Sequence, residues 1–188
     1  AMLDMLEAIG SRSGLGELLS LGSRAAAREI GQGSAAFAPH VKGLEIPGYE
    51  PRAMQTMALG FAVGTRGADH NRSGAYQVDF SDAVDRLHVG PEAVPLAIET
   101  EDEAVVMDSL ILCKFLRGVF DDKLAGMAEM LNLVTGWETT ALELRNTAQR
   151  IVTAKKWYNI QQGWTPCEDT LPSRFLSEPL TDGANEEA

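Results

Sequence analysis

Apolar residues recur at three- and four-residue intervals through most of this chain, and that period commits it to packed helices rather than to sheets. Met54, Met57, Ala58 and Phe61 form one such set behind Pro51, a residue suited to a helix start. Leu124, Met127, Met130 and Leu131 share one face of a helix over 121–134, which Gly136 closes as a left-handed cap. Thr140-Ala-Leu-Glu143 is a capping box opening a helix to about Gln161, with Leu144, Ala148, Ile151 and Val152 inward. Leu3, Leu6 and Ile9 give an amphipathic start, and residues 14–30 read as one or two helices stopped by Gly31-Gln-Gly33-Ser34. Residues 91–117 read as a long helical stretch with a break expected near Glu99–Glu103. The fold class is mostly α and multihelical: two packed helical subdomains, 1–100 and 101–188, with at most a short strand pair. That pair would involve Val41–Ile46, closed by Pro47-Gly48. The tail from Trp164 onward is Pro-rich, then acidic, and is expected to fray.

The bulk numbers exclude several function classes. At 188 residues the chain can bury a substantial core. A net charge of −11 without a basic stripe disfavours nucleic acid and anionic membranes as partners. Apolar stretches such as 57–64 are too short to span a bilayer. Nothing resembling an export leader opens the chain, and two cysteines cannot make a disulfide framework, so a cytoplasmic, reducing setting is expected. Ala1-Met2 reads as an expression scar, and the chain as a piece of something longer.

Chemistry concentrates in two places. Asp108-Ser-Leu-Ile-Leu-Cys113-Lys114 sets a carboxylate, an apolar anchor and a thiol at fixed spacing. The thiol suits a metal or cluster, and the carboxylate suits a nitrogen heterocycle held by charge-assisted hydrogen bonds. If the segment is helical, Asp108 and Leu112 share a face and Cys113 lies about 100° round. Spacing alone favours a core helix with one buried free cysteine. His70 sits among Arg66, Asp69, Asn71 and Arg72, between small residues that would admit a large ligand. It suits proton transfer or a hydrogen bond to a substrate oxygen. A surface-loop histidine in irregular structure over 64–74 is the plainer alternative. His40 and His88 read as structural, and Met54, Met57, Met127 and Met130 as core. Gly31-Gln-Gly33-Ser-Ala-Ala36 matches a dinucleotide fingerprint on paper but follows a helix, so it reads as a loop.

Several segments form an ordered set: Val41-Lys-Gly-Leu-Glu-Ile-Pro-Gly-Tyr-Glu-Pro-Arg52, Ala58-Leu-Gly-Phe-Ala-Val-Gly-Thr-Arg-Gly-Ala-Asp-His70, and Asp108 to Lys114. Gly136-Trp137, Asp169-Thr-Leu-Pro-Ser-Arg-Phe175 and Glu178-Pro179-Leu180 complete it. Together they resemble the C-terminal part of the aldehyde ferredoxin oxidoreductase family, the tungsten bis-pterin enzymes, over nearly the whole chain. The resemblance implies a helical portion packed on an N-terminal domain absent here. It implies oxidation of an aldehyde to the acid, with electrons leaving through a four-iron, four-sulfur (4Fe–4S) cluster to ferredoxin. Asp108 and Leu112 would match the motif D-x-x-G-L-C that grips a tungsten or molybdenum pterin. Cys113 would be the fourth cluster ligand, and His70 the histidine that orients the substrate carbonyl or moves a proton.

Ile111 stands where the motif has glycine, and a β-branched residue resists φ > 0. The other cluster cysteines, in Cys-x-x-Cys-x-x-x-Cys spacing, are missing, so this piece alone is expected to be inactive and cofactor-free, with the cofactor-facing apolar surface bare. The alternative is a freestanding helical interaction or structural module that has lost the cofactor.

Overall fold

The computed structural model describes residues 1–180. Ten α-helices occur among them: α1 (Met2–Ser11), α2 (Leu15–Leu19), α3 (Ser23–Ile30), α4 (Gln55–Val63), α5 (His70–Ser73), α6 (Tyr76–Asp79), α7 (Ala93–Ser109), α8 (Lys123–Thr135), α9 (Ala141–Gln161) and α10 (Arg174–Ser177). The one sheet described is a hairpin of β1 (His40–Val41) and β2 (Leu44–Glu45), paired antiparallel with Val41 opposite Leu44. Lys42 and Gly43 both take positive φ in the two-residue turn between the strands. The chain is mostly α, as its periodicity predicts. No described helix is long and apolar enough to cross a membrane.

Some helix starts have a local cause in the sequence. Asp122 accepts from the Ala125 N–H to open α8. Thr140 and Glu143 exchange bonds in the predicted capping box of α9. Gly136 ends α8 with φ 73°, the left-handed cap expected there. The start of α4 is capped from a distance instead. The carboxylate of Asp79 at the end of α6 is buried and accepts from the N–H groups of Thr56 and Met57 at 3.0 and 2.8 Å. Burial pushes that carboxyl's pKa up, against the two hydrogen bonds.

Two apolar clusters form the interior. One joins Val41, Met54, Met57, Phe61 and Ala68, with Tyr76 and Leu171 packed on it. The other joins Val105–Met107 of α7 to Leu124, Met127 and Ala128 of α8 and Leu144 and Ala148 of α9. Helix α7 contacts α4, α5 and α6 on one side and α8 and α9 on the other. It runs unbroken through Glu99–Glu103, where a break was expected, and the boundary anticipated at 100/101 falls inside it. Three methionines of the predicted core set are buried, but Met130 is exposed, because it lies off the face of α8 on which Leu124, Met127, Ala128 and Leu131 pack.

Residues 164–180 correct a further expectation. They dock rather than fray: Asp169 pairs with Lys42 at 2.8 Å and with Lys156 at 2.7 Å, and Leu171 joins the first cluster. The acidic end of the expected frayed tail lies outside the described residues.

Candidate functional site

Helix α5 is a single turn, and its sequence explains it. Asp69 is its N-cap, accepting from the N–H groups of Asn71 and Arg72 at 2.9 and 3.3 Å. Gly74 closes it at φ 65°. His70 is therefore the first helical residue and not part of an irregular loop, as 64–74 had suggested. Its ring lies 5.1 Å from that of Tyr49 and 5.8 Å from that of Tyr76, centroid to centroid. The two tyrosines stack at 6.3 Å. His40 and His88 are elsewhere: the first accepts from Gly43 N–H in the hairpin turn, and the second meets Asp85 on the surface.

The carboxylate and the thiol come from the end of α7. Here the helical reading of 108–113 fails, because α7 stops at Ser109 in a Schellman turn. Leu112 N–H bonds to Met107 O at 2.9 Å and Ile111 N–H to Asp108 O at 3.2 Å. Such a turn needs one left-handed residue, and Ile111 supplies it at φ 58°. Asp108 and Leu112 therefore do not share a helix face. Leu112 turns back onto the core cluster that contains Met107, while Asp108 keeps about a quarter of its side chain in solvent, 25%. Cys113 follows in extended conformation and is exposed, so the buried-cysteine reading fails as well. Ile111, Phe115 and Val119 around it are exposed apolar side chains, the first at 92%.

The left-handed Ile111 carries strain that a glycine would not, roughly 1–2 kcal/mol for a side chain in that region. Its side chain has almost no packing to lose. Ile111→Gly is expected to stabilise the chain by about 1 kcal/mol after the entropy cost of glycine in the unfolded state. A urea midpoint that stays put or falls in that variant would contradict this.

Ion pairs and hydrogen bonds join the two places. Arg72 of α5 bonds to Asp108 Oδ2, and Lys114 Nζ lies 2.9 Å from Oδ1. Arg117 donates to Asn71 Oδ1 at 3.0 Å and covers the Tyr76 ring at 5.2 Å. Burial lowers the pKa of Arg117 from its ordinary value and also that of Lys155 on α9, whose neighbours include Arg72, Asp108, Glu101 and Lys114. The α5 turn that begins with His70 is thus bonded, through Arg72 and Asn71, to Asp108 and to the turn that follows Cys113. Sequence reasoning missed Tyr49, Tyr76 and Arg117. Tyr49 stood in the quoted Val41–Arg52 segment, but neither Tyr76 nor Arg117 carried any local signal.

Comparison with known proteins now decides the family. The model described as aldehyde ferredoxin oxidoreductase, domains 2 & 3, matches residues 1–188. The chain belongs to the aldehyde ferredoxin oxidoreductase family. It is 31% identical over 186 residues to the tungsten-containing aldehyde ferredoxin oxidoreductases of Pyrococcus furiosus and of Thermococcus kodakarensis, matches that cover 96% of this chain and 30% of each relative. The enzyme of that name from Pyrococcus horikoshii is 30% identical over 183 residues, 94% of this chain and 29% of its own length. The chain thus spans about 30% of the length of the curated aldehyde ferredoxin oxidoreductases it matches.

Proposed function

We propose that this chain forms one wall of the active site of a tungsten- or molybdenum-pterin oxidoreductase that turns an aldehyde into a carboxylic acid. In this reading the opposite wall belongs to an N-terminal portion of the same polypeptide, electrons pass through a 4Fe–4S cluster to ferredoxin, and the piece alone is inactive. The observation that carries the reading is the Arg72–Asp108 ion pair. It ties the helix turn that carries His70 to the end of α7, a few residues before Cys113, and this supports the reading that the three groups serve one site.

The residues fit a share of the cofactors. Cys113 is an exposed thiol on an extended segment, a form in which a thiolate can reach a cluster iron. One such ligand is a quarter of what a four-iron cluster takes, and the described residues contain no group of three His, Cys, Asp or Glu able to hold a metal. Asp108 would grip a pterin nitrogen, beside Arg72 and Lys114, and Leu112 would support that turn from below. Ile111, where the motif has glycine, takes the left-handed conformation that glycine favours, and adds a side chain there. When bound, the metal pterin supplies the acceptor for the electron pair that the aldehyde carbon loses, and the cluster supplies its one-electron exit.

His70 acts on the substrate. Packed tilted against the rings of both Tyr49 and Tyr76, it hydrogen-bonds the carbonyl oxygen or takes up a proton as water adds. A reducing, cytoplasmic setting is part of the reading, since Cys113 and Cys167 are both exposed and free.

The test is iron content in the full-length protein. Cys113→Ala is expected to lose cluster iron and ferredoxin-coupled turnover together; iron at the wild-type level would end the ligand assignment. An in-frame Cys-x-x-Cys-x-x-x-Cys upstream supports the enzyme reading, and a stop codon there supports a freestanding module.

A further inference from the structure

Four side chains close a ring of contacts at the histidine. His70 Nε2 lies 3.1 Å from Asn71 Nδ2, and Asn71 Oδ1 accepts from Arg117 Nη2 at 3.0 Å. The Arg117 guanidinium lies over Tyr76, and Tyr76 returns to the His70 ring. The chemistry of these groups leaves one arrangement of protons. A guanidinium only donates, so the Asn71 amide must turn its oxygen toward Arg117. Its nitrogen, which also only donates, then faces the histidine. Opposite a donor, Nε2 must offer a lone pair, and a neutral imidazole with its lone pair on Nε2 carries the proton on Nδ1.

We propose that Arg117 is a positioning residue that fixes His70, through Asn71, as the Nδ1–H tautomer, and that His70 meets a substrate oxygen with this N–H. The tautomer stands on the contacts of this chain alone. Its use on a substrate oxygen rests on the role proposed for His70 above.

Two consequences follow from the bonding. Protonating Nε2 would set N–H against N–H, so proton uptake at that atom requires Asn71 to rotate away from Arg117. Arg117 belongs to the 3₁₀ turn Lys114–Gly118, which Cys113 caps, so the proton on His70 is tied to the conformation of the thiol-bearing turn. A residue on one side of the helix contact thereby selects which nitrogen of the histidine on the other side can give a proton.

Nitrogen-15 NMR of the 188-residue chain, labelled at the imidazoles, tests this directly, because the chain has three histidines. His40→Gln and His88→Gln assign the third set of signals. At mildly alkaline pH, wild-type His70 is expected to show a protonated Nδ1 and a bare Nε2. Arg117→Met frees the amide to present its oxygen, and the population is expected to move from mainly Nδ1–H to mainly Nε2–H. A protonated Nε2 in the wild type overturns the assignment without any variant. The same tautomer in wild type and Arg117→Met overturns the part given to Arg117. Normal turnover in His70→Ala of the full-length enzyme would remove the use on substrate, together with the reading it rests on, and leave the tautomer untouched.

Discussion

His70→Ala in the full-length enzyme is expected to cut aldehyde turnover by about 10²- to 10⁴-fold, the usual range for losing a positioned proton donor or acceptor. Metal and iron content should stay at the wild-type level, since no metal ligand is removed in the proposed site. The fold should survive too. The cap of α5 is the Asp69 carboxylate acting on the backbone of Asn71 and Arg72, and the imidazole takes no part in it. The loss should appear in kcat more than in KM if the N–H acts on an oxygen whose charge grows in the transition state. Unchanged kinetics would demote His70 to a packing partner of Tyr49 and Tyr76.

Most of the helices were legible because their signals are local. The capping box at Thr140, the glycine at 136 and the apolar periods of α4, α8 and α9 each lie within a few residues of what they determine. The end of α7 was not legible. A helix stop of this kind is usually announced by glycine, and Ile111 occupies the left-handed position without that announcement. Placement of α4 was likewise hidden, because its capping carboxylate, Asp79, comes from another helix more than twenty residues away.

The candidate site divides in the same manner. His70, Asp108, Leu112 and Cys113 could be named from a motif because the resemblance specifies residues at fixed spacing. What joins the first to the others could not. Arg72 to Asp108 and Arg117 to Asn71 are contacts between side chains 36 and 46 residues apart, and each depends on how α5 packs against α7. Leu112 shows the limit from the other direction: a residue flagged for a cofactor also completes a helix cap and packs on the core.

The docking of residues 164–180 yields the second large effect. Lys42 is nearly withdrawn from solvent, 5% exposed at its side chain, and its ammonium meets Asp169, the carbonyls of Ala62 and Gly64 and the face of Trp164. Burial lowers the pKa of Lys42, against the hydrogen bond to Asp169 that raises it. Burial acts on Asp169 in the opposite sense, raising it, but the bonds from Lys156 and Lys42 prevail and its pKa lies below the ordinary value. Removing Asp169 therefore leaves a buried ammonium without its counter-charge. Loss of one partner from a fully buried pair costs about 3–5 kcal/mol; with Asp169 22% exposed, about 2–3 kcal/mol is expected for Asp169→Ala. The stabilisation should be fully present above the ordinary aspartate value of about 3.9 and fade as pH falls through the lowered value of the folded state. Lys42→Met combined with Asp169→Ala should be more stable than Asp169→Ala alone, because the stranded charge is gone. Denaturant midpoints of the three variants against wild type decide the matter. If the double variant proved the weakest, the carbonyls of Ala62 and Gly64, and not Asp169, would be what Lys42 is there to hold.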